Sequence, residues 1–208
     1  MVEVKEMPYS EKYAKVMDAI KHDDFVGGFI EEHLGQQASA EYLSICESGI
    51  EPIPEEASPE EKYEIAYKNW MWISGTAFGF VRERMGEEGM EQFIRDDVAL
   101  LKRENSSASL YLLAMIRAFS PGSAFEMVAK KSAYDLQYLT PYSVDESTRE
   151  RGVMSVPRCK VLDYPNTEDV CLVGCQQVYP RWLAEQLKVK MAFDRQGNSC
   201  TVTVTPLH

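Results

Sequence analysis

Along positions 10–119 the apolar residues recur at spacings of three and four, which predicts a run of helices. Ser10 can cap a first helix to about Lys21, and Asp23 or Asp24 can cap the next, FVGGFIEEHL, which Gly35 ends. Residues 36–47 make a third apolar-periodic piece. GIEPIPEEASPEE then interrupts the pattern with Pro and Glu, as a linker or surface loop does. The strongest start signal follows. Ser58 as N-cap, Pro59 at the first helical position and Glu61 three residues on form a capping box. From there Tyr63, Tyr67, Trp70, Ile73, Ala77, Phe78 and Val81 lie on one stripe, with Ile65 and Trp72 on a second. A helix apolar over so much of its circumference is expected to be central and buried, ending at Gly86. Residues 88–103 predict another helix. Ser106 or Ser107 would cap one more through Phe119, where Ser120-Pro121-Gly122 breaks it.

The period then changes. Residues 125–139 and 150–162 read as strands joined by TPYSVDEST, and 168–187 as a helix that Pro180 must kink or restart. Val189, Met191 and Phe193 share one face of a strand, Gln196-Gly197-Asn198 makes a turn, and Cys200, Val202 and Val204 share one face of the next. This is a hairpin pattern. The expected fold is α+β: an N-terminal helical bundle packed on a small antiparallel sheet, with one covering helix and a C-terminal β-hairpin. The expected division is a helical extension at 1–57 and a helical plus β-sheet domain at 58–208.

Charge narrows the partners. The 208 residues carry a formal net charge of -11, and 45% are hydrophobic. That is enough for a sizeable core. Without clustered Lys and Arg, neither nucleic acid nor an anionic membrane surface is an expected partner. MVEVKEMPYSEKYAKVMDAI carries acids and no continuous apolar run, so no secretory leader is expected and the setting is read as cytoplasmic. Five cysteines, an odd number, suit thiols or a metal site better than a disulfide framework.

Four of those thiols fall in the last fifty positions: Cys159, Cys171, Cys175 and Cys200. Alternation points Cys200 to the core side of the hairpin, and Cys171 and Cys175 at i,i+4 share one face of the helix above it. Three uses remain open for the set: small core side chains, ligands for zinc or iron, or a nucleophile with supporting thiols. Arg158, Lys160 and Arg181 are near in sequence, but no histidine is. His22 and His33 sit among acids on helices. No Ser-His-Asp elbow, P-loop or dinucleotide fingerprint is present. In KNWMWISGTAFGFV, aromatics at Trp70, Trp72, Phe78 and Phe80 alternate with Asn69, Ser74, Gly75, Thr76 and Gly79. This pattern serves either helix packing or an aromatic-walled small-molecule pocket against the sheet.

With those residues in hand, positions 60–206 resemble the L-2-amino-thiazoline-4-carboxylate hydrolase-like families and a related uncharacterised family. The likeness lies in the YKNWMWISGTAFGFVRERMG helix, VPRCKVLDYP, a Cys before a WLAEQL-like helix, and the closing CTVTV strand. It is firmest at Cys159, Cys175 and Cys200. More distantly the chain is similar to 4-vinyl-reductase-like domains, which bind small molecules and in some sensors hold zinc through cysteines. The resemblance implies a hydrolase of C–N bonds in a small sulfur- or nitrogen-containing molecule. The clustering of thiols together with that likeness makes Cys175 the expected nucleophile and Cys159 and Cys200 supporting thiols, and the pocket reading of the helix puts Asn69, Trp70, Trp72 and Thr76 against the substrate. The families' acidic residue after the middle cysteine is replaced by Gln176-Gln177. The other readings are a sensor or carrier for a small molecule or metal, with Cys159, Cys171, Cys175 and Cys200 as ligands, and a homo-oligomer built through an apolar patch.

Overall fold

The computed structural model describes residues 4–105 and 108–207. The fold is α+β, and the chain divides into two compact units. One comprises Met1–Glu6, Ile94–Lys160 and Leu172–His208, the other Met7–Phe93 and Val161–Cys171.

The second unit is helical. Its elements are α1 (Tyr9–Asp23), α2 (Phe25–Leu34), α3 (Gln36–Gly49) and the larger part of α4 (Pro59–Glu104). The Pro/Glu loop lies within it. The capping box forms as expected: the Ser58 N–H donates to Glu61 Oε2 at 2.8 Å and the Glu61 N–H to Ser58 Oγ at 3.3 Å. Two glycines turn the chain back on itself. Gly35 ends α2 at φ 87°, ψ 166°, and Gly86 divides α4 at φ 67°, ψ -160°. These values lie in a region that only glycine occupies without strain. Beyond Gly35, the Ser39 hydroxyl donates to the Gly27 carbonyl at 2.9 Å, so α2 and α3 lie side by side. Beyond Gly86, Phe93 comes to 5.5 Å from Phe78, ring to ring. In a straight helix, fifteen residues would separate them by about 22 Å. The two arms of α4 therefore double back, and Phe93 also meets Phe25 at 5.2 Å and Phe29 at 5.2 Å. The segment 161–171 is fixed by a fork from Arg82 to Asp169, at 2.8 and 2.9 Å. It is folded on itself by the Thr167 hydroxyl, which donates to the Val161 and Tyr164 carbonyls.

The first unit holds the sheet: β1 (Ser143–Ser147), β2 (Gly152–Val156), β3 (Val189–Gln196) and β4 (Ser199–Pro206), antiparallel in the order β1-β2-β4-β3. The hairpin β3–β4 closes on Gly197, at φ 61°. As alternation requires, Val202 and Val204 are buried and Cys200 packs against the same core. Two expectations are corrected. Residues 125–139 are not a strand: α6 (Pro121–Leu136) fills most of that stretch, started by Pro121 and burying Phe125, Val128, Ala129 and Ala133 at helical spacing. The strand lies instead in TPYSVDEST, as β1. Residues 150–162 shorten to β2 plus a 3₁₀ turn at Lys160–Asp163. The covering layer is accordingly α6 together with the segment at 170–187, which contributes Leu183 to the core.

That second segment carries Pro180 without a break. It is wound as a π-helix (Val170–Val178), one α-turn, α7 (Tyr179–Trp182), and a π-turn (Leu183–Leu187). The wider π winding takes up the clash and the missing N–H that proline imposes on an α-helix. α5 (Ala108–Phe119) precedes α6. Ser106 and Ser107, expected as its caps, lie outside the described residues, as does His208.

Gly35, Gly79 and Gly86 all have open space where a Cβ would stand, so backbone conformation alone sets the effect of alanine there. Gly79→Ala is expected to raise stability by about 0.5–1 kcal/mol, as in any exposed helix interior. Gly35→Ala and Gly86→Ala are each expected to lower it by about 1–3 kcal/mol. Urea midpoints of the three variants check the sign.

Candidate functional site

The side chains singled out on α4 are engaged within the second unit. Asn69 is buried, and its amide is paired in both directions with one backbone residue. Its Oδ1 accepts from the Glu51 N–H at 2.9 Å and its Nδ2 donates to the Glu51 carbonyl at 2.8 Å. This buried amide thus clamps the Pro/Glu loop. The Trp72 indole N–H donates to the Cys46 carbonyl at 3.0 Å, and its ring lies where a Cβ on Gly49 would stand. Trp70 is edge-on to Tyr67 at 5.8 Å, and Thr76 is half-buried. Gly75 makes room for backbone: a Cβ there would lie 2.9 Å from the Asn166 carbonyl oxygen.

The cysteines are all free of disulfides. The Cys159 N–H donates to the Asn198 carbonyl at 2.7 Å, which brings it to the hairpin turn. Cys200 stands two residues beyond, opposite Val156 and Arg195. Cys159 and Cys200 therefore share one end of the sheet. Cys171 is buried at the start of the π-helix, its N–H on the Thr167 carbonyl at 3.3 Å, and Cys175 is half-buried one turn later. Among the described residues, no three or more His, Cys, Asp or Glu are grouped so as to hold a metal ion.

What does converge lies within the first unit, where α6 meets the residues after the π-helix. The Tyr179 phenol, one turn beyond Cys175, is hydrogen-bonded to the Ser132 hydroxyl and lies in the field of Asp135. Ser132 and Asp135 are three apart and so project from one side of α6. Burial first, then the Asp135 charge and the nearby Cys175 thiol, push the phenol up to about 12, against the smaller opposing pull of Ser132. It is therefore a proton-bearing donor at neutral pH. Asp135 Oδ2 also accepts from Lys131 at 2.8 Å. A second phenol, Tyr142, is raised to about 12, again chiefly by burial, and donates to the Ala133 carbonyl. Trp182 lies against Tyr179, ring centres 5.4 Å apart. Its buried indole N–H has no acceptor among the described residues. Such an orphan donor is uncommon and costs about 1–3 kcal/mol.

The sequence reading reached Cys175 and missed Ser132, Asp135, Tyr179 and Trp182. Tyr179 was within reach, since it follows Cys175 at four residues on one helix. Ser132 and Asp135 were hidden by reading α6 as a strand. The same unit carries a cleft of about 240 Å³ with Ala129, Val144, Met154 and Val204 in its lining, together with Lys5 and Glu146. This is slightly below the ~300–1,000 Å³ usual for small-molecule sites.

No family model matches the chain, and no curated protein matches it either.

A phenol whose pKa is raised on folding adds stability below its unfolded value, near pH 10, and that stability drains away as pH climbs to about 12. The protein is expected to lose stability over that window. Tyr179→Phe, which keeps the ring and removes the proton, is expected to flatten part of the loss. Urea midpoints from pH 8 to 12 for both proteins measure it.

Proposed function

We propose that the protein is a small-molecule hydrolase that opens a C–N bond in a sulfur- or nitrogen-containing carboxylate of the 2-amino-thiazoline kind, with Cys175 as its nucleophile. The observation that carries this reading is the cluster around Tyr179: a protonated phenol, a hydroxyl, a carboxylate and a thiol, with an unsatisfied indole N–H beside them. The resemblance of residues 60–206 to thiazoline-carboxylate hydrolases supplies the substrate class. In this reading the Cys175 thiol proton passes to the Asp135 carboxylate as the sulfur attacks the amidine carbon. The S–C bond forms while the C=N π pair moves onto nitrogen. The Tyr179 phenol donates to that nitrogen, in the manner of an oxyanion hole. The substrate enters as its amidinium, with a proton already on the ring nitrogen; protonated Asp135 gives that nitrogen a second proton, so it leaves as a neutral amine as the C–N bond breaks, and water then adds to the carbon, one of its protons passing to the Cys175 sulfur as the enzyme's S–C bond breaks. The Trp182 N–H would bind the substrate carboxylate, which satisfies a donor otherwise left dry.

Setting follows chemistry. Five cysteines outside any disulfide suit a reducing compartment, and the cytoplasm is the proposed one. No helix among the described residues is long and apolar enough to cross a membrane. A second reading, a non-catalytic carrier, is favoured by the apolar cleft on α6 and the sheet.

The test is turnover of 2-amino-thiazoline-4-carboxylate and related cyclic amidines, followed by release of the primary amine that C–N cleavage frees. Cys175→Ala is expected to lower kcat/KM by about 10³-fold or more, and Tyr179→Phe by about 10²–10³-fold, with circular dichroism unchanged in both. Absence of turnover by the wild-type protein across the set, or full activity in Cys175→Ala, would sink the hydrolase reading. Binding of the same compounds without turnover would favour the carrier.

A further inference from the structure

The exposed side of α5 runs against the usual logic of a surface helix. Tyr111 is 79% exposed, Leu112 57%, Met115 62% and Phe119 88%. Leu112, Met115 and Phe119 follow one another at three and four residues, and Tyr111 joins Met115 at four, so all four share one stripe. α5 packs against α6, which adds Met127, itself half exposed. The helix carries one charged side chain, and this is not used toward solvent: Arg117 Nη2 donates to the Leu187 carbonyl at 2.7 Å. Leu113 faces the core of the unit. The arrangement is thus apolar on both sides, with its only charge committed to the protein. Four large apolar side chains exposed along one helical stripe mark a site for a partner more often than bare surface.

We propose that this face of α5, with Met127, is the contact between two copies of the chain in a twofold dimer. Area is the first argument. Two large aromatics and three aliphatic or thioether side chains at these exposures present about 650 Å², near the lower end of the ~600–1,000 Å² that each partner contributes to a stable interface. Charge is the second. Each copy carries a net charge of -11, so two copies repel through most of their surface, and an uncharged stripe is where they can meet with least cost. A lipid surface fits less well. Interfacial helices hold to anionic headgroups through Lys and Arg along the polar face, and the single Arg of α5 is bound to a carbonyl. With the twofold axis perpendicular to the stripe, the two α5 helices lie antiparallel. Met115, midway along the stripe, is then nearest the axis, and Phe119 of each copy lies over Tyr111 and Leu112 of the other. This contact is independent of the chemistry proposed at Cys175.

Light scattering coupled to size exclusion, at about 50 μM so that a micromolar interface is populated, tests it with the full chain. The wild type is expected at twice its 23.7 kDa chain mass. Met115→Asp and Phe119→Glu, both at solvent-facing positions, are expected at the monomer mass with unchanged circular dichroism and thermal midpoint. A monomeric wild type overturns the proposal. If that monomer floats with phosphatidylserine vesicles the face belongs to lipid, and if it does not, to a different protein. A dimer that survives both substitutions also overturns it, since another surface must then hold the copies together.

Discussion

The chain reversal at Gly86 is the constraint on which the helical unit rests. Without it, the arm of α4 that carries Phe93 would run on away from Phe78. With it, one ring stands among Phe25, Phe29 and Phe78 and links α2 to both arms of α4. The energy of that cluster comes from burying aromatic area and from its edge-to-face geometry. The possibility of it comes from one residue without a Cβ. Gly35 plays the same part for α2 and α3, at nearly the same backbone angles. At the turn itself Arg82 pairs with Glu87 across Gly86 and reaches Asp169 of the 161–171 segment with both nitrogens of a fork. The pairing is half exposed, so it contributes more to fixing the position of the 161–171 segment than to overall stability.

In the sheet-bearing unit the corresponding constraint is Pro180. A proline inside a helix removes a donor and crowds the preceding turn, and the chain responds by widening its winding on both sides. The departure from α geometry falls beside Cys175, Tyr179 and Trp182, and Tyr179 meets Ser132 and Asp135 of α6. Irregular winding of this kind re-aims side chains by a fraction of a turn. Here it accompanies a phenol that cannot ionise at neutral pH, a carboxylate shared with Lys131 and an indole donor left without an acceptor.

Much of the fold was legible because its signals are local. The capping box at Ser58–Glu61, the glycine stops, and the alternation of Val189, Met191, Val202 and Val204 each follow from a few neighbouring residues. The misread stretch, 125–139, mixes Phe, Val and Tyr with Ala, Lys and Ser. Its β-formers drew attention away from the spacing of Phe125, Val128, Ala129 and Ala133, which is helical, and from Pro121, which is a helix start. β1 was invisible for the opposite reason: SVDES has one buried residue, Val144, and its place in the sheet is decided by pairing with β2 rather than by its own composition. The candidate site was legible only at its cysteine. The partners of Tyr179 come from residues more than forty positions away, and such contacts leave no trace in spacing. Asn69 shows the limit from the other side. A buried polar residue on an apolar helix must have a partner, yet nothing in its neighbourhood tells that the partner is a loop backbone rather than a ligand.

The strand order β1-β2-β4-β3 has a consequence for how the protein is made. β4 is inserted between β2 and β3 and bonds to both, although it is synthesised after every other strand. While the chain emerges from the ribosome, β2 can pair with β1 on one side only, and its other edge stays open until Ser199–Pro206 is available. Val202 and Val204, the residues that seal the core beneath α6, arrive at the same moment. The sheet therefore closes in one late step, with long loops already paid for in entropy. Throughout synthesis the nascent unit carries an uncovered strand edge above an unfilled core, the state in which chains pair with the wrong neighbour and in which a chaperone would be of most use.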